Sequence, residues 1–107
     1  MKALIVVDVQ NDFCPEGNLQ ISNADEIIPK INELLPKFDL IIFTKDWHPE
    51  NHISFASRHK DYDAFDTIEL NGIKQTLWPD HCIQDTPGAD LHPDLDLSKC
   101  KKDFYIF

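Results

Sequence analysis

Ala3-Leu4-Ile5-Val6-Val7-Asp8 is the stretch that decides the fold. Five apolar residues, three of them β-branched, run without interruption and stop at a carboxylate. A short continuous run of this kind reads as a strand buried on both faces, the arrangement of a parallel sheet. A loop follows from Gln10 to Ser22, carrying Pro15 and Gly17. Asn23 then stands as a candidate helix N-cap, with Glu26 three residues later to complete a capping box. Ile27, Ile28, Ile31, Leu34 and Leu35 recur at helical spacing and predict a helix over roughly residues 24–36. Pro29 lacks an N–H and would remove one bond from the ladder unless the helix begins later than Asn23. Phe38 to Thr44 is a second apolar run, ending at Lys45-Asp46. Strand, helix and strand in this order form a βαβ unit and place the chain in the α/β class.

Beyond Asp46 the periodicity fades. Pro49, Pro79, Pro87 and Pro93 punctuate residues 46–102, and no sustained helical or strand pattern is visible there. Long irregular stretches are uncommon in compact domains and usually carry function. A third strand is expected over Asp103–Phe107. Three strands with one good helix leave one sheet face and one sheet edge bare, whereas a parallel sheet needs cover on both faces. A covering partner is therefore expected: a missing C-terminal half of the domain, or a second copy of the chain.

The composition bounds the function classes. The chain has 107 residues, enough for one domain, and 42% are hydrophobic, which is a globular composition. Asp and Glu outnumber Lys and Arg by 19 to 10, a net charge of −9. That charge argues against nucleic acid and anionic membrane as partners. No targeting segment or span of membrane length is visible. Cys14, Cys82 and Cys100 are odd in number and widely spaced, which fits reduced thiols and a cytoplasmic location.

Several residues could carry chemistry. Asp8 lies at the carboxyl end of the first strand, where open α/β sheets place their sites. It could equally be an ordinary loop-starting Asp that bonds nearby backbone N–H groups. Asp46 and His48 follow the second strand, and residues two apart on an extended segment project to the same side. A carboxylate and an imidazole so placed suit a divalent metal: zinc, iron or manganese. His81 in Trp78-Pro79-Asp80-His81-Cys82 makes a third candidate ligand, and His52 an optional fourth. Three protein ligands with open positions is the plan of a catalytic metal site. His59 and His92 read as surface or capping residues. Cys14 stands near Asp8 in sequence and Cys82 adjoins a candidate ligand, but buried small hydrophobes is the better reading of all three thiols. Phe13 and Trp78 flank the candidate polar groups and suit a flat, partly apolar ligand. Trp47 reads as ordinary packing.

Three segments carry a family resemblance. Val7-Asp8-Val9-Gln10-Asn11-Asp12-Phe13-Cys14 resembles the opening motif of the nicotinamidases. Lys45-Asp46-Trp47-His48-Pro49-Glu50-Asn51-His52-Ile53-Ser54-Phe55 resembles their metal-binding segment. Gln75-Thr76-Leu77-Trp78-Pro79-Asp80-His81-Cys82-Ile83-Gln84 resembles the segment bearing their last histidine ligand, and Gly88 to Pro93 continues the pattern. The resemblance runs through all of this sequence and about the first half of a usual family member.

It implies a three-layer α/β/α fold with a mostly parallel sheet, of which these residues form the N-terminal portion. It implies hydrolysis of nicotinamide to nicotinate and ammonia in NAD salvage, with pyrazinamide as a second substrate. By match, Asp8 exchanges a proton with a nucleophilic cysteine. Asp46, His48 and His81, with His52 as an optional fourth, hold a divalent metal, with zinc the expected ion. Phe13 and Trp78 flank the substrate ring. The family's lysine falls just past Phe107 and its nucleophilic cysteine further on; Cys14, Cys82 and Cys100 match neither position. These 107 residues alone are therefore expected to be inactive. The competing expectation is a truncated, non-catalytic metal-binding protein of the same fold.

Overall fold

The computed structural model describes all 107 residues. Strand β1 spans Ala3–Val7 and β2 spans Leu40–Thr44, with helix α1 over Ile28–Leu34 between them in sequence. β1 and β2 pair in parallel, with Ala3 opposite Leu40 and Val7 opposite Thr44. The chain leaves β2, forms an antiparallel hairpin of β3, Thr67–Leu70, and β4, Ile73–Thr76, and returns as β5, Phe104–Ile106. β5 pairs in parallel with the free edge of β2, so the sheet order is β1-β2-β5. The α/β reading and the three expected strands hold.

The helical segment departs from the expected single helix. Ala24–Ile27 is a 3-10 turn, α1 is seven residues long, and Leu35–Lys37 is a second 3-10 turn. Pro29 and Pro36 each sit in the first turn of their piece, where the missing N–H has no partner to lose. The expected capping box is absent. Asn23 is left-handed at φ 61 and its side chain caps nothing, whereas an N-cap needs extended backbone.

The core lies on one face of the sheet. Val6, Ile41 and Phe43 point toward Ile28 and Leu35 of the helical segment, joined by Val9, Cys14 and Leu95. Full burial of a side chain such as Leu35 or Phe43 contributes about 1.5–3 kcal/mol. Phe104 closes the β5 side, its ring edge-on to Phe43 at 5.8 Å between centroids. The opposite face carries Ile5 and Val7, 59% and 64% exposed, and Tyr105, 51% exposed. The expectation that β1 is buried on both faces is therefore corrected: one face is covered, because a single helical segment supplies all the cover. The bare face itself was expected.

The β3–β4 hairpin was not anticipated. Its turn is Asn71-Gly72, with φ 51 and φ 80, the two left-handed residues of a type I′ turn. The signal was present as Asn-Gly between Thr67-Ile68-Glu69-Leu70 and Ile73-Lys74-Gln75-Thr76. No helix is long and apolar enough to cross a membrane.

Candidate metal centre

Parallel pairing sets the site. Because Val7 lies opposite Thr44, Asp8 and Asp46 emerge beyond the carboxyl ends of neighbouring strands. Asp8 takes a left-handed conformation at φ 53, which Asp tolerates better than most residues. Its N–H donates to the Thr44 carbonyl and hydroxyl oxygens, each at 3.1 Å. The Thr44 hydroxyl in turn donates to Asp8 Oδ1 at 2.6 Å. The carboxylate is thus held from β2, not by loop N–H groups.

Past β2 the side chains alternate as expected. Lys45 and Trp47 share one side, with the ammonium 5.3 Å from the indole centroid. Trp47 is 44% exposed, so it lies over Lys45 and not in a packed interior. Asp46 and His48 share the other side. His48 reaches its place through a main-chain bridge: its N–H donates to the Cys82 carbonyl at 2.9 Å, and its carbonyl accepts from Gln84 N–H at 2.8 Å. That bridge draws in His81.

Asp46, His48 and His81 come together. One donor atom from each lies within 4.8 Å of the others. His48 Nδ1 is 3.4 Å from Asp46 Oδ1, and His81 Nε2 is 3.3 Å from Asp46 Oδ2. His81 Nδ1 donates to the Pro79 carbonyl at 2.8 Å, which leaves the Nε2 lone pair facing the group. His48 Nδ1 is buried and has no hydrogen-bond partner. An orphaned buried nitrogen beside a carboxylate is costly unless something binds it. Burial pushes the His48 pKa down; Asp46 opposes that shift, while His81 and His52 reinforce it. That direction favours the neutral imidazole, the form a metal requires. Phe55, fully buried, packs on both rings at 5.1 and 5.5 Å. These residues fit a divalent metal by donor set, tautomer and the unpartnered atom.

The remaining candidates divide. The His52 ring is 4.8 Å from the His48 ring, but Ser54 N–H donates to its Nδ1 at 3.2 Å and the Ser54 hydroxyl contacts it at 2.7 Å. It stands outside the three-residue group. Phe13 packs on His81 at 5.6 Å, while Trp78 sets its ring against Phe65 at 6.1 Å. Asp8, Phe13 and Cys14 line one open, mainly apolar cleft of about 430 Å³. Cys14 is no activated nucleophile: burial, then Asp25, raises its pKa. Cys82 is fully enclosed, and burial reinforced by Asp46, Asp12 and Asp8 pushes it up to about 12. Cys100, half-buried, is raised by burial and Asp96. His59 and His92 serve local main-chain contacts, His59 at Ile53 O and His92 at Asp94 N.

Two residues of the site carried no assigned role in the sequence reading. Gln10 is fully buried, and its side chain bonds both main-chain groups of Asp46. Asp12 is buried and accepts from Cys82 N–H. Their partners are main-chain atoms distant in sequence, which no spacing pattern reveals.

A family model described as the isochorismatase domain matches residues 2–106. The chain belongs to the isochorismatase-domain family. A nicotinamidase of Acinetobacter baylyi is 61% identical over 95 residues, covering 89% of this chain and 44% of that protein. A solved nicotinamidase/pyrazinamidase from Acinetobacter baumanii superimposes with a TM-score of 0.86 at 51% identity, over 96% of this chain and 49% of the other. A pyrazinamidase of Pyrococcus horikoshii, solved in complex with zinc, gives a TM-score of 0.65 at 44% identity, over 95% of this chain and 50% of that one. This isochorismatase-domain chain thus spans about half the length of the curated relatives it matches.

Proposed function

We propose that these residues form the metal-holding N-terminal portion of a single hydrolase domain that converts nicotinamide to nicotinate and ammonia, and that also accepts pyrazinamide. The observation that carries this reading is the convergence of Asp46, His48 and His81 around an orphaned His48 Nδ1. The named relatives above support the substrate class.

In this reading Asp46, His48 and His81 hold a divalent metal, zinc being the ion named for one solved relative, with His52 as an optional fourth ligand. When bound, it supplies a positive centre that orients a pyridine-type ring nitrogen. Phe13 offers its face to that flat ring, and Trp78 is the second ring-flanking residue. Asp8, fixed by the Thr44 hydroxyl, exchanges a proton with the attacking thiol. The thiolate adds to the carboxamide carbon, the amide nitrogen leaves protonated as ammonia, and water releases the acid from the thioester. No cysteine among these 107 residues matches that thiol. A partner, the C-terminal half of the domain or a second copy, covers the bare sheet face. A role in NAD salvage and a cytoplasmic setting belong to the same proposal, and three free thiols accord with the setting.

A second reading, a non-catalytic metal-binding protein of the same fold, rests on the same ligand group, which lies wholly within these residues. The test has two parts. Equilibrium dialysis against Zn2+ should show one site in the 107-residue chain, and Asp46→Ala should remove it. Ammonia release from nicotinamide should be absent from this chain alone and present in a longer form carrying the second half. Full metal occupancy in Asp46→Ala would refute the site. A longer form that binds metal but releases no ammonia favours the second reading.

A further inference from the structure

We propose that Gln10 and Asp12 are positioning residues for the metal centre: together they clamp the two chain segments that carry its ligands. This inference rests on the metal-centre reading and concerns residues that touch no metal.

Asp46 and His48 follow β2, while His81 arrives from the far end of a loop about thirty residues away. No strand of the β1-β2-β5 sheet joins the two segments; they meet through the main-chain bridges His48–Ile83 and Phe55–Trp78. The segment Gln10 to Asp12 lies between them and grips each. The Gln10 amide spans the Asp46 peptide: Oε1 accepts Asp46 N–H at 2.9 Å, and Nε2 donates to the Asp46 carbonyl at 2.9 Å. Nε2 also donates to the Ala89 carbonyl at 2.8 Å. The three hydrogen bonds of this buried side chain all go to main-chain atoms, and two of them fix where the Asp46 carboxylate originates.

Asp12 does the same for the other segment. Its Oδ2 accepts Cys82 N–H at 2.8 Å, and Oδ1 accepts Asn18 N–H at 3.1 Å. Cys82 sits at φ 48, a conformation that costs a non-glycine residue and persists only when held. The next peptide group, through the Cys82 carbonyl, accepts His48 N–H at 2.9 Å. Asp12 thus holds the turn directly after His81, and that turn holds His48. Asp12 is itself confined. A Cβ on Gly88 would overlap its carboxylate, and one on Gly17 would overlap its carbonyl. Both Asp12 oxygens are engaged, one on each of two main-chain N–H groups.

The test measures Zn2+ affinity of the full 107-residue chain by chelator competition, and the visible spectrum of bound Co2+. Asp12→Ala and Gln10→Ala should each weaken Zn2+ binding about 10- to 100-fold, the range for residues that orient ligands. Each should also shift the Co2+ bands, with far-UV dichroism retained. Asp12→Asn should recover part of the loss, because its single oxygen can accept one of the two N–H groups. Should Asp12→Ala lose its far-UV signal, the Asp12→Asn affinity decides. Variants within twofold of the parent affinity, with unmoved Co2+ bands, overturn the clamp alone. Asp46→Ala separates the two claims: a parent chain that binds no Zn2+, or binds it equally as Asp46→Ala, overturns the metal centre and the clamp together.

Discussion

The Thr44 hydroxyl both accepts the Asp8 N–H at 3.1 Å and donates to Asp8 Oδ1 at 2.6 Å, tying the ends of two neighbouring strands through one side chain. Thr44→Val keeps the shape and removes both bonds. A hydrogen bond to a charged group is worth about 1.5–3 kcal/mol, less where water can replace it. Half-buried as this pair is, the variant should lose about 1–2 kcal/mol in urea unfolding. Thr44→Ser should restore most of it. Equal midpoints for Thr44→Val and the parent would show that the contact contributes nothing.

The two faces of β1 should respond differently to the same change. Val6 points into the core and Val7 into solvent. Val6→Thr buries an unpaired hydroxyl and should cost about 1–3 kcal/mol. Val7→Thr keeps the branched shape on the open face and should stay within about 0.5 kcal/mol. Matched denaturation curves for the two variants would contradict the one-sided burial.

All three thiols are raised, Cys82 to about 12, so each is protonated at neutral pH. At pH 8, alkylation of Cys82 by iodoacetamide in the folded, metal-free chain should run far slower than in urea, because the thiol is both enclosed and protonated. The linkage has a definite sign. Below about pH 9.0 the thiol is protonated in both states and stability is unaffected. Above it the unfolded chain releases the proton while the enclosed thiol keeps it, so stability falls as pH rises toward 12. Unfolding midpoints that stay flat from pH 9 to 11 would contradict this.

Gly17 and Gly88 both border Asp12, but a methyl group at each meets different atoms. At Gly17 it meets backbone oxygens of Asn11 and Asp12, which cannot rotate away. At Gly88 it meets the Asp12 side chain, which can. Gly17→Ala should therefore cost about 1–3 kcal/mol of stability, as overpacking does. Gly88→Ala should cost less stability and more Zn2+ affinity, by displacing the Asp12 carboxylate from Cys82. Calorimetric melting and metal titration of the pair check the order.

Much of this was legible because it is local. Apolar runs ending at Asp8 and at Lys45-Asp46 gave strand ends and therefore site residues. Asp46 and His48 were readable as a pair because alternation along an extended segment needs no tertiary knowledge. The helix start is not legible at Asn23, since a capping-box pattern in sequence does not fix φ. The Asn71-Gly72 hairpin was passed over because four-residue strands carry too little alternation to stand out among prolines. Gln10 and Asp12 were illegible in principle: what they bind is peptide groups at Asp46, Cys82 and Ala89, and any residue type has those. The burial of Cys82 was legible from its residue type, but the carboxylates of Asp46, Asp12 and Asp8 near it were not, since only the fold brings them there.

The left-handed backbone at Asp8 decides how that residue can be interrogated. Alanine at φ 53 would carry a conformational penalty of its own, so a scan of the site with alanine would mix lost charge with a distorted strand end. Asparagine accepts the same backbone and keeps an oxygen for the Thr44 hydroxyl. Asp8→Asn therefore subtracts the carboxylate and leaves the chain path alone, so that in a longer form that releases ammonia any loss it produces tests the proposed proton transfer.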